Sequence, residues 1–315
     1  VKMKIVLIES LGIRKELLNS YIMPLREQGH VFECFERDTD IEKQKERLKD
    51  ADVLMIANMP LKQEVLNACE KLKFIDVAFT GVDHIPVAAA KERHIAVSNA
   101  SGYSNESVAE LVLGVTLSLL RRVMIVDKNT RTGKTVDGNV GVELQGKTVG
   151  IIGTGAIGSR TAELFSAFGC RVLGYNPHPK EITGIINVTM EELLEKSDII
   201  TLHCPLNDST RGLIDGEKIA KMKDGAVLIN ASRGPVVDTK ALADALIQGK
   251  LSAAGIDVYD VEPPISEDNP LLKAPNTILT PHIAFLTAES MEKRAKIVFD
   301  SLDQWMKGNQ INKIV

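Results

Sequence analysis

Short runs of apolar residues alternate with stretches of helical periodicity along most of the chain. In the first third, strand-like runs occur at 4–8, 31–35, 53–57, 74–79 and 95–99. Between them, apolar positions recur with a helical spacing, for example at 40–49 and 62–68. Several of the strand-like runs are continuously apolar, as in parallel strands that are covered on both faces. The alternation predicts a doubly wound α/β domain built on a parallel sheet.

A long helix is then predicted for 107–122, because Ser104 can cap it and its residues are apolar on nearly every side. The polar stretch 128–145 follows and is predicted to be a surface loop or an interface arm. The strand-helix pattern then restarts, with strand-like runs at 148–152, 171–175, 198–203, 226–230, 253–257 and 277–279. The last segment, 288–307, has a helical stripe of apolar residues.

The chain has 315 residues, which exceeds what one ordinary core accommodates and suits two domains. We place one nucleotide-type domain at 101–284. The other is discontinuous and combines 1–100 with 285–315. Both are predicted to be doubly wound parallel-sheet domains.

Composition and charge exclude several classes of protein. Hydrophobic residues make up 44% and charged residues 25%, as in an average soluble chain, and the net charge of −4 does not favour nucleic acid or anionic membranes as partners. The four cysteines form no CxxC pair, so neither a metal site nor a disulfide framework is expected. The apolar run 4–8 ends at Glu9 and predicts a first strand rather than a signal peptide. The near-apolar run 111–120 has about half the length of a membrane span, so a cytoplasmic protein is expected.

Three glycines with GxGxxG spacing follow the strand-like run 148–152 and open a predicted helix. Gly153 permits a tight turn, Gly155 lets a pyrophosphate approach the backbone, and Gly158 lets the helix press on the strand. Backbone N–H groups at the start of the helix can then bind the phosphates. This pattern predicts a dinucleotide site.

The end of the next strand-like run bears on the choice of dinucleotide. Asn176 stands where an acid that binds the adenosine ribose hydroxyls is expected. An amide can bond the ribose but does not repel a 2′-phosphate, and His178 and Lys180 can attract one. The sequence favours NAD and leaves NADP open.

Arg233, Glu262 and His282 each come after a predicted strand of the second half. Ligands of open α/β sheets bind outside the carboxyl ends of the strands, where three such side chains can converge. A guanidinium can hold the carboxylate and carbonyl of a 2-keto acid, and an imidazole can exchange a proton near neutral pH. Glu262 can hydrogen-bond the imidazole and fix its tautomer. Each residue alone has an ordinary structural explanation, and their combination behind a glycine loop predicts hydride transfer.

Four motifs together resemble the D-isomer-specific 2-hydroxyacid dehydrogenases, in their short glycerate/hydroxypyruvate reductase-like or D-lactate dehydrogenase-like form. They are GTGAIG at 153–158, NASRG at 230–234, DVYDVEP at 257–263 and TPHIA at 280–284, with further similarity at 107–110 and 203–206. The resemblance implies a Rossmann cofactor domain, a flavodoxin-like substrate domain and a cleft between them. It also implies a homodimer joined through the cofactor domains.

The resemblance further implies which residues act. Arg233, Glu262 and His282 are expected to be catalytic. Cofactor contacts are expected from Gly153, Thr154, Gly155, Ala156, Ile157, Gly158, Asn176, His203, Cys204, Pro205, Ala231, Ser232, Arg233, Asp257 and His282. Substrate contacts are expected from Asn58, Thr80, Gly81, Val82, Arg233 and His282. Without the resemblance, His203 is interpreted as structural.

The substrate itself stays open among hydroxypyruvate or glycerate, pyruvate or lactate, and 3-phosphoglycerate. A phosphorylated substrate needs a further cation beyond Arg233. The alternative function is a non-catalytic, dinucleotide-sensing interaction protein of the corepressor type on the same fold.

Overall fold

The computed structural model describes residues 2–262 and 264–315. Val1, where the predicted first domain begins, and Pro263, the last residue of the 257–263 motif, lie outside the described residues. By internal packing the chain divides into two units, Val1–Ser104 with Leu286–Val315 and Asn105–Phe285. The sequence-based boundaries at 100/101 and 284/285 lie close to these positions.

The first unit contains a five-stranded parallel sheet in the order β2-β1-β3-β4-β5. Its strands are β1 (Lys4–Leu7), β2 (Val31–Cys34), β3 (Val53–Ile56), β4 (Phe74–Val77) and β5 (Ala96–Asn99). The helices that connect them are α1 (Lys15–Glu27), α2 (Ile41–Leu48), α3 (Gln63–Ala68) and α4 (Val87–Glu92). Every residue of β3 and β4 is buried, which explains why β3 is continuously apolar. β4 carries one polar residue, Asp76, and it is buried as well.

The second unit contains a seven-stranded parallel sheet. Two helices precede it, α5 (Asn105–Leu120) and α6 (Val123–Arg131). The strands are β6 (Thr148–Ile152), β7 (Arg171–Tyr175), β8 (Ile186–Asn187), β9 (Ile199–Leu202), β10 (Ala226–Asn230), β11 (Leu251–Ile256) and β12 (Thr277–Leu279). They lie in the order β12-β11-β10-β9-β6-β7-β8, with α7 (Ala156–Ala167), α8 (Met190–Lys196), α9 (Gly216–Lys221) and α10 (Thr239–Ile247) along the connections. The α/β class and the two parallel sheets confirm the predicted fold.

The segment after α5 differs from the sequence-based expectation. Residues 128–131, predicted to be in a loop, form the last turn of α6. No residue of α6 is buried, and an ion pair between Arg131 and Asp127, one turn apart, supports the helix at 2.8 Å. Among the helices of the described residues, none is both long and apolar enough to cross a membrane.

The final helix α11 (Ala288–Met306) belongs to the first unit. Thr287 begins it with a capping box, in which the Thr287 hydroxyl accepts from the backbone N–H of Ser290. The apolar positions predicted for this stripe are Met291, Ala295, Val298, Leu302 and Trp305, of which the first four are buried and Trp305 is half-buried.

Candidate functional site

The loops that follow the strands of the second sheet share one edge, because all of its strands are parallel. In sheet order from β7 to β12, these loops carry Asn176, Gly153, His203, Arg233, Glu262 and His282. The order of the strands reverses between β6 and β9, which is where open α/β sheets bind ligands. The residues singled out in the sequence therefore follow six neighbouring strands around this point.

The glycine loop has the shape that a pyrophosphate requires. Gly153 has φ +96°, and a Cβ on it would lie 2.7 Å from the backbone nitrogen of Cys204. A Cβ on Gly158 would lie 2.0 Å from the carbonyl oxygen of Gly153, so helix α7 presses directly on the turn. Gly155, at the N-cap of α7, instead faces open space. Phosphates can therefore approach the N–H groups at the helix end, and the loop fits a dinucleotide.

The segment 203–205 packs behind the glycine loop. The backbone N–H of His203 donates to the carbonyl of Ile152 at 2.7 Å, and its Nε2 pairs with the Thr201 hydroxyl at 3.0 Å. Burial lowers the pKa of His203 to about 4, so its imidazole is neutral near pH 7. Burial also raises the pKa of the Cys204 thiol to about 11. The expected cofactor contacts of His203, Cys204 and Pro205 stay predictions.

Asn176 at the end of β7 uses its side-chain oxygen locally. Its Oδ1 accepts from the backbone N–H of His178 at 3.0 Å, which leaves its Nδ2 group as the donor. His178 and Lys180 are exposed in the same loop. This loop end therefore offers an amide donor and basic side chains where an NAD-binding loop usually offers a carboxylate acceptor.

Asn230 shapes the turn that carries Arg233. Its Oδ1 accepts from the backbone N–H of Ser232 at 3.0 Å, and its Nδ2 donates to the carbonyl of Arg233 at 2.9 Å. The Arg233 Nη1 donates to the Ser232 carbonyl at 2.8 Å. A Cβ on Gly234 would overlap the carbonyl group of Tyr259, so this turn packs closely on the segment after β11. The half-buried Arg233 guanidinium thus projects from a turn whose backbone is held by the Asn230 hydrogen bonds and by packing against Tyr259.

Glu262 and His282 are in direct contact. The Glu262 Oε2 and the His282 Nδ1 lie 2.7 Å apart, and the phenyl ring of Phe285 meets the imidazole edge to face at a centroid distance of 5.3 Å. The His282 side chain is 13% exposed, whereas that of Glu262 is 52% exposed. The contact fixes the imidazole so that Nδ1 faces the carboxylate.

Asp257 organises the loop that presents His282. Its carboxylate accepts from the backbone N–H groups of Ile283 and Ala284, each at 2.8 Å, and from the Thr280 hydroxyl. His282 itself has φ +57°, a strained backbone conformation for a non-glycine residue, and these bonds hold the loop in that shape. Burial raises the pKa of Asp257, and the three hydrogen bonds oppose that effect. Its expected contact with cofactor stays a prediction.

The expected substrate residues of the first unit also lie at one sheet edge. Asn58 follows β3, and Thr80, Gly81 and Val82 follow the neighbouring β4. The two loops are tied together, because the His84 Nε2 lies 2.7 Å from the carbonyl oxygen of Ala57.

Sequence reasoning missed two residues that shape these loops. The NASRG motif includes Asn230 but predicts no role for it, and Glu9 only marks the end of the apolar run 4–8. Asn230 is the last residue of β10 and Glu9 lies two residues beyond β1. A polar residue at the end of an apolar strand-like run is the signal that could have found them, and both are buried.

Comparison with known proteins identifies the family. Residues 113–284 match the family model described as D-isomer specific 2-hydroxyacid dehydrogenase, NAD binding domain. The chain is 38% identical over 287 residues to the hydroxypyruvate reductase of Blautia hydrogenotrophica, with 88% of each chain covered.

Solved structures agree over the whole length. An acyclic imino acid reductase (Bsp5) in complex with NADPH and D-Arg matches with a TM-score of 0.92 at 30% identity, covering 99% of this chain and 100% of that one. D-lactate dehydrogenase from Aquifex aeolicus, complexed with NAD and lactic acid, matches with a TM-score of 0.87 at 31% identity, covering 99% of both chains.

Fold, glycine loop and relatives together define an NAD(P)-binding oxidoreductase of 2-hydroxy acids. The chain belongs to the D-isomer specific 2-hydroxyacid dehydrogenase family. The predicted family, enzyme class and cofactor class are therefore confirmed.

Proposed function

We propose that this protein reduces a small 2-keto acid to the D-2-hydroxy acid, with Arg233, Glu262 and His282 as its catalytic residues. The observation that carries the proposal is the 2.7 Å contact between Glu262 and His282. It stands at the sheet edge that also presents Arg233 and the glycine loop.

Each catalytic residue has one task. Arg233 pairs with the substrate carboxylate and polarises the carbonyl, and its guanidinium stabilises the negative charge that builds on the carbonyl oxygen. His282 donates a proton from Nε2 to that oxygen, which becomes the hydroxyl. Glu262 holds Nδ1 and stabilises the protonated imidazole. A dinucleotide held by its pyrophosphate at residues 153–158 would supply the hydride for the carbonyl carbon from its nicotinamide, and in the oxidative direction His282 would accept the proton.

The remaining expected contacts are proposed with the same roles. Residues 153–158 hold the pyrophosphate, Asn176 faces the adenosine ribose, and His203, Cys204, Pro205, Ala231, Ser232 and Asp257 complete the cofactor site. The substrate is contacted by Asn58, Thr80, Gly81 and Val82 in addition to Arg233 and His282. NAD and NADP both remain candidates for the dinucleotide.

A panel of 2-keto acids with NADH and with NADPH tests this proposal. We expect turnover with at least one small 2-keto acid, and a loss of about 100-fold or more in kcat for His282→Ala with cofactor affinity retained. A His282→Ala variant close to wild type in kcat would remove His282 from its role. Wild-type protein that binds the dinucleotide but reduces none of the acids would favour the non-catalytic, dinucleotide-sensing alternative.

We also propose that the protein is a homodimer joined through its second unit. Five apolar side chains on and beyond α6 are exposed, namely Val123, Met124, Val136, Val140 and Val142. Met124, Val140 and Val142 also line a groove of about 310 Å³. Exposed apolar residues around one groove are typical of an interface, and the resemblance supports a second copy as the occupant.

Light scattering coupled to size exclusion tests the dimer. We expect wild type to have the mass of two chains and Met124→Asp with Val140→Asp to shift it toward one chain. Ile247→Asp, which places the same charge on an exposed residue at the end of α10, is the matched control. A monomeric wild type, or a double variant that stays dimeric, would contradict the proposal.

A further inference from the structure

Three polar residues meet at the point in the first sheet where the strand order reverses. Glu9 follows β1, Arg37 follows β2 and Asn58 follows β3, and β1 is the strand that separates β2 from β3 in the order β2-β1-β3-β4-β5. Sheets of this order bind their ligands at the β1/β3 switch point. This polar cluster therefore lies where sheets of this strand order bind their ligands.

Glu9 fixes the backbone on both sides of Asn58. Its carboxylate is only 4% exposed, and Oε1 accepts from the backbone N–H groups of Ala57 and Met59, each at 2.8 Å. Charge-assisted hydrogen bonds of this kind are the strong ones in a protein. The backbone at residue 58 is thus held at a defined position.

Arg37 fixes the side chain of Asn58. Its Nη1 lies 2.8 Å from the Glu9 Oε2 and 2.8 Å from the Asn58 Oδ1. A guanidinium can only donate, so the amide must turn its oxygen toward Arg37 and present its NH₂ group elsewhere. Among residues 2–262 and 264–315, no acceptor is recorded for the Asn58 Nδ2. Asn58 is half-buried and therefore offers an oriented hydrogen-bond donor.

We propose that Asn58 is a specificity-determining residue that selects 2-keto acids with an oxygen on C3, the hydroxyl of hydroxypyruvate or its phosphate ester, over pyruvate with its methyl group. Glu9 and Arg37 are positioning residues that keep the Asn58 Nδ2 turned toward that oxygen. The inference rests on the proposed function, because it assumes that the loop after β3 faces the substrate.

The expected size of the effect follows from hydrogen-bond energetics. A site built to bond a substrate oxygen discriminates strongly against an analogue that lacks it, because a polar group of the site then loses its partner. One hydrogen bond from a neutral donor contributes about 0.5–1.5 kcal/mol, and leaving the donor unpaired costs more. We therefore expect a preference of at least about 10-fold that depends on the Asn58 amide.

The central experiment compares kcat/KM for hydroxypyruvate and for pyruvate in wild type and Asn58→Leu. Leucine keeps the approximate volume and removes the donor, so the ratio of the two values should fall by about 10-fold or more. Asn58→Asp, which exchanges the donor for an acceptor in the same shape, should lower the ratio as well. Gln63→Leu removes an exposed amide at the start of α3 and is the matched control, with an unchanged ratio.

Variants of Arg37 distinguish a role in orienting the Asn58 amide from a general role in stability. Arg37→Met frees the Asn58 amide to turn and should lower the hydroxypyruvate-to-pyruvate ratio, whereas Arg37→Lys keeps a donor for Oδ1 and should restore much of it. A fall in thermal stability alone would lower both kcat/KM values together and leave the ratio intact. An unchanged ratio in Arg37→Met would remove Arg37 from the inference.

A third arm with 3-phosphohydroxypyruvate distinguishes the two sources of the C3 oxygen. The acid that wild type turns over with the higher kcat/KM identifies the source, and Asn58→Leu should lower its ratio to pyruvate. A wild type that reduces pyruvate as well as both oxygenated acids, or Asn58 variants with an unchanged ratio, would overturn the inference while the proposed function stands. A wild type that reduces no 2-keto acid would overturn both.

Discussion

The His282 Nδ1 lies 2.7 Å from the Glu262 Oε2, although 20 residues separate them in the chain. β12 brings His282 to the sheet edge beside the segment after β11 that carries Glu262. The pair therefore depends on the register of two neighbouring parallel strands rather than on local sequence.

Replacing Glu262 with glutamine tests the charge of this pair. Glutamine keeps an acceptor for Nδ1 but cannot stabilise the protonated imidazole, so we expect kcat to fall by about 10-fold or more. Steady-state kinetics with saturating cofactor measures it. Glu267→Gln, at an exposed position in the same segment, is the control and should match wild type. A Glu262→Gln variant with the kcat of wild type would leave Glu262 without a role in proton transfer.

Asp257 organises the loop that presents His282, and we expect it to support catalysis through that loop. Asp257→Asn places an NH₂ group where the carboxylate now accepts three hydrogen bonds, so at least one backbone N–H loses its partner. We expect a loss of about 1–3 kcal/mol in unfolding free energy and a lower kcat, because His282 no longer keeps its strained conformation. Urea unfolding and steady-state kinetics measure the two effects. Wild-type values in both would contradict this role.

Two glycines of one loop are expected to respond in opposite ways. An alanine Cβ at Gly155 meets open space and normal backbone geometry, so Gly155→Ala should fold with the stability of wild type but bind the dinucleotide at least about 10-fold more weakly. An alanine at Gly158 would collide with the Gly153 carbonyl, so Gly158→Ala should lower the thermal midpoint. Calorimetry with and without NADH measures both. An unchanged dinucleotide affinity in Gly155→Ala would show that the phosphates do not bind against this loop.

The strands were predictable because burial on both faces leaves continuous apolar runs in the sequence. The candidate residues were predictable because they follow the carboxyl ends of those strands. In β10, five buried residues run directly into the turn of Arg233. The glycine loop was recognisable for a different reason, because close backbone contacts require glycine at Gly153 and Gly158, while Gly155 leaves open space for a phosphate.

The partners of the polar side chains were not predictable in the same way. Asp257 reaches residues 283 and 284, and Glu9 reaches residues 57 and 59, through strand neighbours that are far apart in the chain. Sequence spacing carries no information on such contacts until the strand order is known. The end of helix α6 was not predicted for a different reason, because its last residues, 128–131, are all polar and no residue of the helix is buried.

Asn176 is expected to influence the choice of dinucleotide. Asn176→Asp adds a carboxylate that can accept from ribose hydroxyls and repels a 2′-phosphate, so kcat/KM for NADH relative to NADPH should rise. His178→Ala with Lys180→Ala should change the ratio in the same direction if these exposed side chains contact the phosphate. Steady-state kinetics with both cofactors measures it. An unaltered ratio in Asn176→Asp would show that the cofactor ribose is recognised elsewhere.

A buried carboxyl group makes the stability of the first unit dependent on pH. Asp76 lies on β4 with no exposure, and its two oxygens accept no hydrogen bond of normal geometry from the described residues. Burial raises the pKa of Asp76 well above its ordinary value of 3.8, and the nearby Ser301 hydroxyl offsets only part of that effect. The folded protein therefore binds a proton that the unfolded chain releases, and stability is lost as the pH rises above that ordinary value.

Asp76→Asn removes this titration. We expect its thermal midpoint to exceed that of wild type by about 2 °C or more near neutral pH. The difference should shrink as the pH falls to and below 3.8, because the carboxyl then becomes protonated in the folded and in the unfolded chain alike. Thermal unfolding across this range measures it, and Glu70→Gln, which changes an exposed carboxylate of the same unit, should follow wild type throughout. A difference between Asp76→Asn and wild type that stays constant with pH would mean that Asp76 is ionised in the folded protein, and that a partner compensates its charge.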